Sequence, residues 1–203
     1  MRCVYCHNPD TWIMTDGQQT EDDELVRKIK NLYPYIKGGG VTFSGGEPLM
    51  QAPFFTSLAK KIKSECNGLH IALDTSGCII NDDVTELVKI CDLIMLDVKF
   101  TTEEDYVGYT GGSLKKTLDF LHMCQDMGKK IWVRHVVVPE LNDTKEDIDR
   151  LKSILKPYAI ERIEYLPFRK LCLEKYDNLG IKFPLRDTPE MDEDRLKGLC
   201  REI

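Results

Sequence analysis

Apolar residues recur along this chain in two alternating rhythms. Short aliphatic runs at 40–44 (GVTFS), 70–74 (HIALD), 92–97 (DLIMLD), 130–138 (KIWVRHVVV) and 160–168 (IERIEYLPF) read as strands, several too apolar to keep one face wet. Between them, apolar positions fall at the three- and four-residue spacing of a helix that buries one face. Residues 20–33 carry Leu25, Val26, Ile29 and Leu32 in this way, behind Thr20 as a candidate cap with Asp23 three residues on. Residues 51–65 align Phe54, Phe55, Leu58 and Ile62, and residues 143–156 align Ile148, Leu151 and Leu155. Further helices are expected over 82–90 and 113–127, and a last one with Thr188 as its cap and Pro189 at its first position. Repeated strand–helix units with buried strands predict an α/β fold in which helices cover a parallel sheet, either a barrel or a doubly wound sheet. No internal repeat, low-complexity tract or linker interrupts the pattern, so residues 1–203 are expected to form a single domain.

The polar and glycine-rich features fall at the ends of these strands. SGGEP (44–48) follows the first, DTSG (74–77) closes the second, DVK (97–99) closes the third, Arg134 lies within the fourth and PFRK (167–170) follows the fifth. In parallel α/β folds the loops after strand C-termini share one face, where ligands bind. Five such features at five successive strand ends predict a site. Gly45 and Gly46 would let a ligand approach the backbone. Glu47 supplies a carboxylate suited to an ammonium group, or else sits in the first turn of a helix that starts at Pro48. Asp74 and Asp97 end apolar strands and would be costly to bury unpaired. They are expected to face each other across the sheet mouth around a cation or a polar ligand, with Asp74 as a turn cap the plainer alternative. Lys99 is placed to grip a carboxylate, or is a solvated loop charge. Arg134 shares a strand face with Trp132 and Val136 and is expected to point inward, where a guanidinium needs an anion such as Asp97 or a ligand. His70, His122 and His135 are expected to be structural or exposed.

Composition narrows the function classes. The chain is 42% hydrophobic and 31% charged, ordinary for a globular protein. A net charge of -6 gives no support for a nucleic-acid or membrane-surface partner. No apolar run approaches the roughly 18 residues of a transmembrane helix, and the start lacks the apolar core of a secretory signal. Six of the 8 cysteines are scattered singly (Cys66, Cys78, Cys91, Cys124, Cys172 and Cys200), the usage of free thiols in a reducing cytoplasm. Cys3 and Cys6 differ, because C-x-x-C brings two thiolates within reach of one metal. They are cluster ligands, half a zinc site, a redox dithiol or inert. No second Cys or His pair completes a zinc site, and no strand leads into the motif as in thioredoxin-like folds.

Together RCVYCHNPDTW, GGGVTFSGGEPL, LDTSG, MLDVK and IWVRHVVVP resemble the radical S-adenosylmethionine superfamily, and within it the activators of glycyl-radical enzymes. The likeness extends through EYLPF and the tail LGIKFPLRDTPEMDEDRL. It implies a partial (β/α)6-type barrel of the radical SAM kind, a [4Fe–4S] cluster, and S-adenosylmethionine chelated at the cluster's open iron. By the same resemblance Cys3 and Cys6 would ligate the cluster. Tyr5 and His7 would line the adenine side, with Asn8 supporting that loop. Gly46, in the turn from Gly45 to Glu47, would contact the methionine amino group, and Asp97 with Lys99 the cofactor's polar groups. Asp74, Thr75, Met95 and Asp97 match a monovalent-cation site, and Arg134 would sit where a substrate glycine enters. The implied partners are a glycyl-radical enzyme, for which the tail and MLDVK favour pyruvate formate-lyase, and flavodoxin or ferredoxin as electron donor.

Two departures from the family pattern stand out. The family motif is C-x-x-x-C-x-x-C, whose first cysteine would fall just before Met1, and the strand leading into it is absent, leaving about five parallel strands. The chain is therefore expected to begin at an internal methionine. Two thiolates are expected to hold a cubane poorly, which would leave the chain as it stands inactive. A non-catalytic module that docks a glycyl-radical enzyme, an activator of another glycyl-radical enzyme, and a thiol redox protein using Cys3 and Cys6 are the alternatives. The second departure is Arg169, where the family usually has a cofactor-contacting histidine.

Overall fold

The computed structural model describes residues 1–13 and 17–201. Five parallel strands, β1 (Val41–Phe43), β2 (Ile71–Thr75), β3 (Leu93–Asp97), β4 (Lys130–Val137) and β5 (Arg162–Pro167), form one sheet in sequential order. A doubly wound sheet reverses its strand order at a switch point. Unbroken order 1-2-3-4-5 is instead that of an open barrel, which decides between the two architectures. The strands lie where the apolar runs predict, trimmed by a residue or two at their ends.

The helices are α1 (Asp22–Ile36), α2 (Ala52–Glu65), α3 (Asp82–Ile90), α4 (Glu103–Thr110), α5 (Leu114–Asp126), α6 (Lys145–Leu155), α7 (Leu173–Asn178) and α8 (Glu193–Cys200). Their buried stripes match the expected ones in α2 and α6, where Leu58 and Ile62, and Ile148, Leu151 and Leu155, lie in the core. α6 opens on a complete capping box between Thr144 and Asp147. Two helix starts differ from expectation. Thr20 does not cap α1. Glu21 holds that position without a side-chain bond, and the acidic first turn is satisfied by α2, with Asp22 accepting from Lys61 at 2.7 Å and Ser57 at 2.6 Å. Thr188 and Pro189 lie outside the last helix, which Asp192 caps by accepting from Arg195 N–H at 2.8 Å. The chain stays extended there because Met191, 1% exposed, donates its N–H to the Phe168 carbonyl at 3.0 Å.

β4 shows how the sheet divides its faces. Ile131, Val133, His135 and Val137 are buried, while Trp132, Arg134 and Val136 are half-buried on the other face. His135, 0% exposed, is a core histidine. Its Nδ1–H donates to the Val98 carbonyl at 2.6 Å, and its Nε2 accepts from Asn142 Nδ2 at 3.2 Å. Asn142 also takes the Val138 N–H at 2.6 Å and donates to the Val136 carbonyl at 3.0 Å. This buried polar knot ties β4 to the residue between Asp97 and Lys99. His70 and His122 are exposed, and all eight cysteines are free. Among the described residues no helix is long and apolar enough to cross a membrane.

Replacing Asn142 with alanine would strand three buried polar partners, so the Asn142→Ala variant is expected to lose about 2–4 kcal/mol in urea unfolding. A loss under about 0.5 kcal/mol would mean the knot is not structural. Burial also holds the His135 pKa down. Below about pH 6.5 the unfolded chain takes up a proton that the folded ring refuses, so stability falls as pH drops through that region. The stability–pH slope between pH 7 and 5 should flatten in His135→Phe by up to about 1.4 kcal/mol per pH unit.

Candidate functional site

A cavity of about 730 Å³ opens at the C-terminal end of the sheet. All five strands contribute to it: Ser44 to Glu47 after β1, Asp74 to Ser76 at the end of β2, Asp97 at the end of β3 with Lys99 beyond it, Arg134 from within β4, and Arg169 after β5. The N-terminal segment covers one side with Cys3, Tyr5, Cys6, His7 and Asn8. The features predicted at five strand ends therefore do share one hollow.

Four charged groups organise its floor. The sheet register sets Asp97 beside Arg134 on the neighbouring strand. Arg134 Nε donates to Asp97 Oδ1 at 3.1 Å, and its Nη2 donates to Asp74 Oδ1 on β2 while lying 2.9 Å from Asp97 Oδ1 as an ion pair. Lys99 completes the group by donating to Asp97 Oδ2 at 3.0 Å. Asp74 and Asp97 thus flank the mouth as expected, with a guanidinium between them. Burial works against the charge on Asp97, but Lys99 and Arg134 together outweigh it and hold the carboxyl below its usual pKa. Asp74 is pushed the other way by burial and by Asp97, against the pull of Arg134. Lys99 is deeply buried, yet its partner Asp97 keeps its pKa well above the ordinary lysine value.

Glu47 faces inward. Its Oε1 accepts from Thr75 Oγ1 at 2.6 Å and Leu49 N at 3.1 Å, and its Oε2 accepts from Ser76 N at 3.0 Å and Ser76 Oγ at 2.5 Å. The carboxylate clasps the β1 loop to the end of β2 and caps the 3-10 turn Pro48–Gln51. This frees the two preceding glycines to present backbone to the cavity. Gly45 has φ +132°, which a side chain would strain, and a Cβ on Gly46 would come within 3.0 Å of Thr11 Oγ1.

The N-terminal segment lacks regular structure before a 3-10 turn at Pro9–Trp12. Its backbone is held by the end of α4, with Arg2 N–H on the Thr110 carbonyl and Val4 N–H on the Tyr109 carbonyl, both at 2.9 Å. The Cys6 N–H donates back to the Cys3 carbonyl at 3.0 Å, and both thiols line the cavity. Burial raises the Cys3 pKa and nearby Lys99 opposes the rise. Tyr5 is 5% exposed, with Lys99 Nζ 5.9 Å from its ring centre, and its hydroxyl has no partner among the described residues. His7 Nε2 donates to the Arg169 carbonyl at 2.8 Å, and Asn8 Oδ1 accepts from Lys175 Nζ at 2.8 Å. The Arg169 guanidinium turns to the C-terminal segment, donating to the Met191 carbonyl at 2.6 Å and to Glu193 at 2.9 Å.

Thr75 and Asp74 belong to the cavity wall, whereas Met95, half-buried on β3 in register with Asp74, does not line it. Sequence reasoning passed over Ser44, which donates to Asp74 Oδ2 at 3.1 Å, and Thr11 and Ser76. Ser44 and Ser76 lie inside the strand-end motifs, so their positions carried the signal. Lys175, a second anchor of the loop through Asn8 and Asp10, had none.

Residues 1–151 match the Radical SAM superfamily. The chain belongs to that superfamily and is a radical SAM enzyme. Within it, the chain is 41% identical over 202 residues to a pyruvate formate-lyase-activating enzyme of Clostridium pasteurianum, covering 98% of this chain and 84% of that one. A pyruvate formate-lyase-activating enzyme of Staphylococcus epidermidis is 38% identical over 213 residues, covering 100% and 84%. The fold matches a domain of a pyruvate-formate lyase-activating enzyme from Bacteroides vulgatus with TM-score 0.64 and 21% identity, over 80% of this chain and 91% of that one. It also matches a radical SAM methyltransferase from Sphaerobacter thermophilus with TM-score 0.72 and 11% identity, over 97% and 57%.

Glu47→Gln would turn an amide NH2 toward donors that now share a carboxylate. The variant is expected to lose about 1–3 kcal/mol of stability in thermal or urea unfolding. An unchanged midpoint would show that the clasp contributes nothing.

Proposed function

We propose that the chain is the activating enzyme of a glycyl-radical enzyme, pyruvate formate-lyase, acting in the cytoplasm with residues 1–203 as one domain. One observation carries the reading: two cysteine thiols, an open Gly45–Gly46 turn and the Asp97–Lys99 pair converge on one cavity, in a chain 41% identical to a relative of that name. The two thiols supply part of a cluster's sulfur ligands, and the Gly45–Gly46 turn with Asp97 and Lys99 suits a zwitterionic cofactor beside it. Cys3 and Cys6 are the cysteines among the described residues that line the cavity, so they are this chain's share of the thiolate ligands of a [4Fe–4S] cluster.

Each residue has a task that its surroundings suit. Cys3 must lose its proton to ligate; burial raises its pKa against that loss, and nearby Lys99 works in its favour. The Gly45–Gly46 backbone leaves room for the methionine end of S-adenosylmethionine, and Lys99 and Asp97 offer charges of both signs to its polar groups. Tyr5, His7 and Asn8 line the adenine side. Arg134 borders the approach of the partner's glycine. When bound here by Cys3, Cys6, Gly46, Asp97 and Lys99, a cluster reduced by a flavodoxin or ferredoxin together with S-adenosylmethionine would supply the radical chemistry that abstracts a hydrogen atom from that glycine. No side-chain acid or base is required, so the residues bind, orient and exclude water.

The test mixes the anaerobically purified protein with S-adenosylmethionine, a strong reductant and pyruvate formate-lyase. The expected result is 5′-deoxyadenosine release and a glycyl-radical doublet by electron paramagnetic resonance, both reduced to background in Cys6→Ser. Lys99→Met is expected to weaken S-adenosylmethionine binding by about 10- to 100-fold, as loss of a buried charged contact does. A radical yield untouched by Cys6→Ser would sink the reading. Tight association with the partner without 5′-deoxyadenosine release would favour the non-catalytic docking module.

A further inference from the structure

The positions Asp74, Thr75, Met95 and Asp97 match a monovalent-cation site by resemblance, but the side-chain oxygens of Asp74, Thr75 and Asp97 here already have partners. Asp74 gives Oδ1 to Arg134 and Oδ2 to Ser44 at 3.1 Å. Asp97 gives Oδ1 to Arg134 at 2.9 and 3.1 Å and Oδ2 to Lys99 at 3.0 Å. Thr75 Oγ1 donates to Glu47 at 2.6 Å and accepts from Gly77 N–H at 3.1 Å. All four carboxylate oxygens are therefore engaged. Among the described residues no group of three His, Cys, Asp or Glu is arranged to hold a metal ion.

The charge balance points the same way. Asp74 and Asp97 bring two negative charges, and Arg134 and Lys99 bring two positive ones. Their side chains are only 14–24% exposed, so the attraction is weakly screened. Glu164, beside Arg134 in the register, pairs with Arg162 at 2.5 Å, and its charge adds to those of Asp97 and Asp74 in favouring the Arg134 cation. A planar guanidinium can donate hydrogen bonds to two carboxylates at once. An added cation at Asp74 and Asp97 would have to expel Arg134 or share their oxygens with it.

We propose that Arg134 is the resident counter-cation of the Asp74–Asp97 pair, and that this chain keeps its barrel mouth assembled without a bound monovalent cation. The claim concerns the folded chain alone and is independent of the partner enzyme. Thermal unfolding tests it in potassium, sodium and N-methyl-D-glucamine chlorides at one ionic strength. Wild-type midpoints are expected to coincide in the three salts. Arg134→Met leaves the carboxylates uncompensated, so a small cation should raise its midpoint saturably, by roughly 5–10 °C at a hundredfold excess over the dissociation constant. Arg134→Lys keeps the charge and should behave as wild type. If Arg134→Met does not fold, sodium-23 line widths on the wild-type protein decide, with no saturable broadening expected. A saturable, cation-specific rise or broadening in the wild type, or no cation response in a folded Arg134→Met, overturns the proposal.

Discussion

Two carboxylates at the ends of neighbouring apolar strands need cations close by, and much of the barrel mouth serves that need. Asp74 and Asp97 close β2 and β3, where the core meets the cavity. The cations that balance them come from β4 and from two residues beyond β3. Because side chains alternate faces along a strand, a slip of one residue in the β3–β4 register would send Arg134 into the helix layer and leave both carboxylates unpaired. The His135–Asn142 knot secures the same place from behind, gripping Val98 between the two residues that must project forward. Register, buried polar knot and surface charge thus solve one electrostatic problem.

The strands were legible because strands buried on both faces leave near-continuous apolar runs. The inward aim of Arg134 and its partnership with Asp97 followed from alternation and from the cost of a lone buried charge. What escaped was set by contacts distant in sequence. α4 has little apolar stripe, yet Thr102 followed by Glu103, Glu104 and Asp105 was a cap signal left unread. α7 is six residues long and is held by the Trp12–Tyr176 and Tyr176–Phe183 ring contacts rather than by its own periodicity. The inward turn of Glu47 depends on Thr75 and Ser76, donors from another strand end, and no local pattern reports it.

Arg169 shows how a departure from a family pattern is accommodated. Where a histidine would be expected, the longer guanidinium reaches past the cavity wall to Met191 and Glu193, and its own carbonyl receives His7. One residue therefore links the N-terminal loop, the last strand and the C-terminal helix. Its charge is directed to structure at the rim, which leaves Lys99 and Arg134 as the cations of the floor.

The anchoring of the Cys3–Cys6 loop has a consequence for how the molecule comes to exist. His7 bonds a residue 162 positions away and Asn8 one 167 positions away. This loop is synthesised well before its fastenings on Arg169 and Lys175, which lie more than 160 residues further along the chain. Contacts of such separation form late. The two thiols are therefore placed only after those distant residues have been made, and whatever cargo they receive is best delivered to a chain that has already closed on itself.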